Sequence, residues 1–352
     1  MEPDFRRTVE THARRYPEMV PQDYVKLAWQ SEFGPGHLLQ NPNRVLPALL
    51  DEWKRIPASV PARPPEPIGG GLCRLHLDGA AQPDEQAPLL ARLLQRTAEE
   101  HTGTQIGLEE RLALLEAMDL PGLRQWLPPY RASGCPPVHH SEPFRRAYAP
   151  HYRVLREEYA RFFPALLAVH RLLAQKRGEP ALIAIDGRCG SGKSTLAALL
   201  ERLFPCRVVH TDDFYLPPAR RNPGWEQHPG GNMDLARLAR EVLDPAGAGQ
   251  KVAYRPFSCR AGRLEEAVEL PPAPLTVVEG SYSLHPALGG RYDLTLFLTC
   301  SPQVQLDRLA RREGAGLEAF QRLWIPMEER YFQALNIPSR CTLSLNTDFT
   351  DE

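Results

Sequence analysis

The sequence predicts a mainly helical domain over residues 1–177 and an α/β domain with a doubly wound parallel sheet over residues 178–352. Three observations support this. Apolar residues recur at helical spacing in the first half. Short apolar runs alternate with helical segments in the second half, which is typical of parallel sheets. The change falls at Gly178-Glu179-Pro180, directly after a basic helix end.

The apolar periodicity places individual elements. In the first half it predicts helices over Asp23–Leu39, Val45–Trp53, Ala87–Glu100 and Leu108–Met118, and a long periodic stretch over Arg153–Gln175. In the second half it predicts strands over Ala181–Ile185, Cys206–His210, Leu275–Val278 and Asp293–Thr299, with helices over Lys193–Leu203 and from Val304.

Composition excludes several classes of partner. The net charge is −1, which does not suit a nucleic-acid-binding protein, and no apolar run reaches the roughly 18 residues that span a bilayer. The seven cysteines are scattered without a CxxC pair, which favours reduced thiols, and the acidic N-terminus does not resemble a secretory signal. We therefore expect a cytoplasmic protein without nucleic-acid or membrane partners, and homo-oligomerisation stays open.

Gly187–Ser194 fits the pattern GxxxxGK[ST] between a strand and a helix. The glycines allow successive backbone N–H groups to point at phosphate oxygens, and the helix N-terminus adds positive charge. Lys193 would reach the β- and γ-phosphates, and Ser194 would supply a hydroxyl to Mg²⁺. We expect ATP or GTP to bind to Gly187, Arg188, Cys189, Gly190, Ser191, Gly192, Lys193, Ser194 and Thr195. The alternative is an accidental glycine-rich turn.

Carboxylates follow two of the predicted strands. Asp212 and Asp213 come after the second strand, and Glu279 closes the third. The carboxyl ends of parallel strands form the active-site edge of such sheets, where a carboxylate can hold Mg²⁺ or accept a proton. Helix capping or turn formation is the alternative for the two aspartates.

Three arginines, Arg308, Arg311 and Arg312, follow the fourth strand at i, i+3 and i+4. They form either a solvated helix face or a lid that closes over the phosphates and stabilises transition-state charge. Their position after a strand favours the lid.

Together these segments resemble the uridine kinase, phosphoribulokinase and pantothenate kinase group of P-loop kinases, and the uridine kinase branch most closely. The resemblance covers residues 180–346 and rests on Gly187–Ser194, His210–Pro217, Gly230–Asp234, Val277–Gly280 and Arg308–Arg312. It implies a Mg²⁺- and ATP-dependent phosphotransferase acting on a hydroxyl group of a nucleoside-like small molecule.

The resemblance also implies residue roles. Asp212 would activate the acceptor hydroxyl, and Glu279 with Ser194 would hold Mg²⁺. Catalysis would further use Lys193, Arg308 and Arg311. The acceptor would lie against Asp213, Tyr215, Asp234 and Tyr254.

The acceptor stays open because Cys259 stands near the position of a base-reading histidine in uridine kinases. Without that donor the site loses its main means of rejecting analogues. Another ribosyl compound, a pantothenate-like alcohol or a sugar phosphate is an alternative acceptor. A different reading is a regulatory ATP-binding module that controls the N-terminal domain.

The N-terminal half has polar candidates of its own and is similar to a bacterial domain that implies no activity. They are Gln30, Ser31, Glu32, His37, Cys73, Arg74, His76, His139, His140, Ser141 and Glu142. The four histidines with Glu32 and Glu142 form either a metal or acid–base site, or a set of caps and hydrogen-bonded core histidines.

Cys189 lies inside the glycine-rich segment, beside a helix N-terminus that favours a thiolate. We therefore expect its oxidation to block nucleotide binding, and ATP to protect it from thiol reagents.

Overall fold

The computed structural model describes residues 3–39, 41–77, 79 and 82–348. The chain divides into two compact units, one running through Phe163 and the other starting at Pro164. The helix Phe163–Lys176 begins at this division, and the boundary that we predict after residue 177 falls at the end of that helix.

The N-terminal unit is mainly helical, as predicted, and it also contains a small antiparallel sheet. Its helices are α1 Pro3–Arg15, α2 Pro21–Phe33, α3 Pro42–Lys54, α4 Pro83–Glu100, α5 Gln105–Ala117, α6 Leu123–Ala132, α7 Glu142–Tyr148 and α8 Glu157–Arg161. Its strands are β1 Glu66–Gly69, β2 Leu72–His76 and β3 Tyr152–Arg156, in the order β1-β2-β3. The sequence pattern did not reveal this sheet.

Two helix predictions in this unit were wrong in extent. The stretch from Arg153 begins as strand β3, because its backbone pairs antiparallel with β2 from Leu72 to His76. Helix α8 and then α9, Phe163–Lys176, follow it. Helix α2 stops at Phe33 instead of continuing to Leu39, since Gly34 has a φ of +59° and Pro35 follows it.

The C-terminal unit contains a parallel sheet of five strands, which confirms the predicted α/β class. The strands of the whole unit are β4 Ala181–Gly187, β5 Cys206–His210, β6 Val252–Tyr254, β7 Phe257–Ser258, β8 Arg263–Leu264, β9 Val268–Leu270, β10 Leu275–Glu279, β11 Leu294–Thr299 and β12 Leu343–Asn346. The parallel sheet consists of β4, β5, β10, β11 and β12. Its helices after α9 are α10 Lys193–Leu203, α11 Leu235–Leu238, α12 Asp244–Gly247, α13 Pro302–Glu313, α14 Leu317–Ala319, α15 Ile325–Ala334 and α16 Ile337–Arg340.

The strand order β12-β11-β4-β10-β5 explains where a site forms. Strand β4 is buried along its whole length, as expected for a central strand covered on both faces. From β4 the chain crosses first to β5 and β10 on one side and later to β11 and β12 on the other. A crevice therefore opens at the carboxyl end of β4, where the direction of winding changes.

Several short elements lie outside the predictions. Strand β12 alternates between half-buried and exposed residues at the edge of the sheet, and β6 to β9 form two small antiparallel pairs. None of the helices in the described ranges has the length and apolar character that crossing a membrane requires.

Candidate functional site

The predicted phosphate loop, Gly187–Ser194, joins β4 to α10 and depends on glycine at two positions. Gly187 has a φ of +139°, and a Cβ atom there would lie 2.0 Å from the carbonyl oxygen of Leu298 on the neighbouring strand. Gly192 precedes α10 with a φ of +95°. Both positions therefore exclude other residues, one by space and both by backbone angle.

Lys193 lies back along this loop. Its Nζ donates to the carbonyl oxygens of Gly187, at 2.7 Å, and Arg188, at 3.1 Å. These bonds hold a positive charge over the loop at the N-terminus of α10, where an anionic phosphate is stabilised.

Side chains from the C-terminal helix α15 hold the same loop. The guanidinium of Arg188 forms a bidentate pair with Glu329, at 2.6 and 2.9 Å. The backbone N–H of Cys189 donates to the carboxylate of Glu328 at 2.8 Å. Of the predicted nucleotide ligands, Arg188 is thus engaged by α15, whereas Ser194 and Thr195 are exposed at the start of α10.

Oxygen atoms suited to Mg²⁺ lie together at the strand ends. Ser194 Oγ donates to Glu279 Oε1 at 3.2 Å, and Glu279 is buried. His210, opposite Glu279 in the parallel register, also contacts Oε1, at 2.5 Å, and this bond raises the pKa of the imidazole. A hydroxyl and a carboxylate fit Mg²⁺, which uses one or two protein oxygens together with substrate phosphates.

Asp212 follows β5 in a short 3₁₀ turn beside this pair. Its side chain is exposed to solvent. Partial desolvation by the neighbouring protein raises the pKa of Asp212, against the effects of a hydrogen bond from Tyr215 and the charge of Lys193. An accessible carboxylate at this edge of the sheet can accept a proton from a hydroxyl group, and the raised pKa favours this role.

Of the residues predicted to contact the acceptor, Asp213 and Tyr254 bond to each other, whereas Asp234 pairs with the guanidinium groups of Arg220 and Arg237. Tyr254 donates to Asp213 at 2.9 Å. Asp234 caps α11 by accepting from the N–H of Arg237 at 3.2 Å, and its carboxylate lies 3.6 Å from Arg220. Two guanidinium groups therefore already face Asp234, which the resemblance assigns to ribose hydroxyls.

The three arginines of α13 have different surroundings and do not form one group above the loop, as a closed lid would. Arg308 donates to the carbonyl oxygen of Gly190 at 3.1 Å and to Thr347 at 2.8 and 3.0 Å. It thus ties the phosphate loop to the segment after β12. Arg311 is exposed, and Arg312 pairs with Glu313 at 2.5 Å.

The expectation of a reactive Cys189 was wrong. Its side chain is buried, and burial together with Glu328 raises the pKa of the thiol well above its usual range. Burial and Glu328 outweigh the favourable helix N-terminus, even though Gln305 donates to the sulfur at 3.3 Å, a bond that by itself favours the thiolate.

Two buried carboxylates of this site were missed by the sequence reasoning. Asp186 accepts from the N–H groups of Gly187, at 2.7 Å, and Leu284, at 3.0 Å. Glu328 binds the Cys189 amide. Asp186 could have been found, because a charged residue inside an otherwise apolar strand is unusual. Glu328 could not, since it lies 139 residues from Cys189 in the sequence.

The N-terminal candidates separate into two groups. Asp23, His140, Tyr152, Gln30, Arg74 and Glu66 form a continuous buried network of hydrogen bonds. Glu32 instead pairs with Arg111, and Glu142 is exposed and bonds to Arg146. No group of three potential ligands able to hold a metal is found in the described ranges, so the metal alternative is not supported.

No protein-family model matches the chain. Among solved structures, a possible uridine kinase from Bacillus stearothermophilus is similar at 17% identity and a TM-score of 0.39, over 52% of this chain and 99% of that chain. D-glycerate 3-kinase from Cryptococcus neoformans var. grubii is similar at 16% identity and a TM-score of 0.40, over 51% and 93%.

Proposed function

We propose that the C-terminal unit is a Mg²⁺- and ATP-dependent kinase that phosphorylates a hydroxyl group of a small molecule. One observation carries this proposal: Lys193, the Ser194–Glu279 pair and Asp212 lie at the carboxyl ends of adjacent parallel strands. Donor, metal and acceptor functions thus meet at one edge of the sheet.

Each of these groups has a part in the transfer. The loop N–H groups and Lys193 bind and orient the phosphates, and Ser194 and Glu279 would hold Mg²⁺, which neutralises developing charge. Asp212 accepts the proton as the acceptor oxygen bonds to the γ-phosphorus. The bond from that phosphorus to the bridging oxygen breaks, and ADP leaves.

A nucleoside-like molecule is the acceptor that the sequence resemblance favours. A second candidate is an alcohol that carries an anionic group, such as a pantothenate-like compound. The observation in its favour is the pair of guanidinium groups of Arg220 and Arg237 beside Asp234. Arg237 is also paired with Glu241 at 3.6 Å, so the exposed Arg220 is the cation that this side of the site offers to negative charge.

The test is phosphoryl transfer from Mg-ATP to a panel of nucleosides and anionic alcohols, followed by mass spectrometry of the products. We expect one acceptor to accelerate ATP consumption, and Asp212→Asn to slow the transfer by a factor of about 10² or more. The matched control is Asp307→Asn, because Asp307 is an exposed aspartate on α13 that accepts a hydrogen bond from its helix neighbour Gln303 at 2.9 Å.

Two results would contradict the kinase. One is ATP consumption that no acceptor accelerates, and the other is an Asp212→Asn variant as active as wild type. ATP turnover without any acceptor, lost in Lys193→Ala, would instead support the regulatory module.

A further inference from the structure

The N-terminal unit contains a small cavity that faces a buried carboxylate. This Glu66 cavity is lined by Glu66, Arg74, His76, Tyr152, Arg63 and Tyr148. The three-stranded sheet builds it, since Glu66 of β1 lies opposite Arg74 of β2, and His76 of β2 lies opposite Tyr152 of β3. Alternate residues of a strand face the same side, so Arg74 and His76 point together.

Polar atoms in this cavity have no protein partner in the part of the chain that the structure describes. They are Glu66 Oε1 and His76 Nε2, on side chains that are only 4% and 7% exposed. Behind them, His12 Nδ1 is also without a partner and lies 3.8 Å from Glu66 Oε1. Buried polar atoms left in this state are costly, so a partner is expected.

The tautomer of His12 shows which kind of partner fits. Its Nε2 lies 2.9 Å from the carbonyl oxygen of Pro67 and must carry the proton, since a carbonyl only accepts. Burial lowers the pKa of His12 to about 4, so the ring is neutral and Nδ1 is an acceptor. Two acceptors, His12 Nδ1 and Glu66 Oε1, therefore lie 3.8 Å apart and cannot bond to each other, so a group that enters beside them must be a hydrogen-bond donor. The hydroxyl of Tyr16, which also lines the cavity, already bonds to the Glu66 carboxylate.

The charges around Glu66 exclude a cation as that donor. Buried Arg74 lies 3.3 Å from the carboxylate, Arg15 lies 3.8 Å away, and exposed Arg63 lines the opening. Two guanidinium groups thus lie 3.3 and 3.8 Å from one carboxylate, and a metal or amine cation would be repelled. The surplus positive charge attracts an anion instead.

We propose that the Glu66 cavity binds a small anion that also carries a hydroxyl group. The hydroxyl group donates to Glu66 and contacts His76, while the anionic group pairs with Arg63 at the opening. The enclosed space of about 10 Å³ holds a single water-sized group, so the rest of the ligand lies outside it, beside Tyr148.

The test is calorimetric titration of the full chain with two probes, D-glycerate and ribose 5-phosphate. These carry a hydroxyl group and an anionic group on a hydroxy acid and on a sugar phosphate. We expect at least one to bind. We expect His76→Asn to weaken that binding about tenfold and Arg63→Ala to weaken it about threefold.

Two control variants test whether a probe binds at the Glu66 cavity or elsewhere on the protein. Arg124→Ala removes an exposed arginine of the same unit that pairs with Asp119, and it should leave affinity unchanged. Asp212→Asn should also leave affinity unchanged, whereas loss of binding in that variant would place the probe in the kinase site and overturn the proposal. The proposal is equally overturned if no probe binds, or if Arg63→Ala and Arg124→Ala weaken binding alike.

Discussion

Asp186 makes the stability of the C-terminal unit depend on pH in an unusual direction. Its carboxylate is completely buried at the end of β4 and accepts hydrogen bonds from Gly187, Leu284 and the hydroxyl of Tyr331, at 2.7, 3.0 and 2.8 Å. Burial outweighs these bonds and raises the pKa of Asp186 from 3.8 to about 6. The folded unit therefore binds this proton more tightly than the unfolded chain does.

The sign and size of the effect follow by linkage. A raised pKa in the folded state means that stability falls as pH rises between about 4 and 6. The full shift corresponds to about 3 kcal/mol, and the part between pH 5 and pH 7 to about 1.4 kcal/mol. Asp186 therefore lowers the stability of the folded unit at neutral pH relative to pH 5. A salt-bridged aspartate has the opposite effect, because its pKa is lowered in the folded state.

The assay compares urea unfolding of wild type and Asp186→Asn at several pH values between 5 and 7. The variant loses hydrogen bonds at every pH, which lowers its free energy of unfolding by a constant amount. The wild type should gain about 1.4 kcal/mol relative to the variant on going from pH 7 to pH 5. Exposed Asp307→Asn serves as the control, with an offset that stays constant because water hydrates that carboxylate in both states. A constant offset for Asp186→Asn as well would refute the reasoning.

Three further predictions concern single side chains. Lys193→Ala should reduce ATP turnover by a factor of about 10² or more while leaving the thermal unfolding midpoint within a few degrees of wild type, because Lys193 bonds only to loop carbonyls. A thiol reagent should label exposed Cys259 before buried Cys189, as peptide mass spectrometry would show, and faster labelling of Cys189 would contradict the burial argument. His140, whose pKa burial lowers to about 4, should destabilise the N-terminal unit as pH falls from 6.5 to 4, and His140→Gln should flatten that dependence in pH-resolved melting curves.

The central strands were predictable because their own residues determine them. Ala181–Gly187 is apolar throughout except for Asp186, and the glycine-rich pattern after it is typical of a turn between a strand and a helix. Strand β3 was not predictable in the same way. Its periodic apolar residues suit a helix as well as a strand, and the pairing with β2 that decides between them joins residues about 80 positions apart.

The same distinction applies to the candidate site. Lys193, Ser194 and Asp212 follow strands in the sequence, so topology alone brings them to one edge. The contacts of Arg308 could not be predicted in this way. Arginines recur at the same i, i+3 and i+4 spacing on a helix face that is open to solvent and on one that binds a loop carbonyl. The Arg308 partners Gly190 and Thr347 lie 118 and 39 residues away.

The phosphate loop is held by side chains that nucleotide need not displace. Asp186 binds the N–H of Gly187, Glu328 binds the N–H of Cys189, and Arg308 binds the carbonyl of Gly190. Each contact comes from a different element, so the loop backbone is fixed from three sides. Lys193 instead rests on carbonyls of the loop itself, and exchanging these for phosphate oxygens replaces neutral acceptors with charged ones. Nucleotide binding as we propose it would therefore reorient one lysine on a prebuilt loop, and loss of Lys193 should affect turnover more than folding.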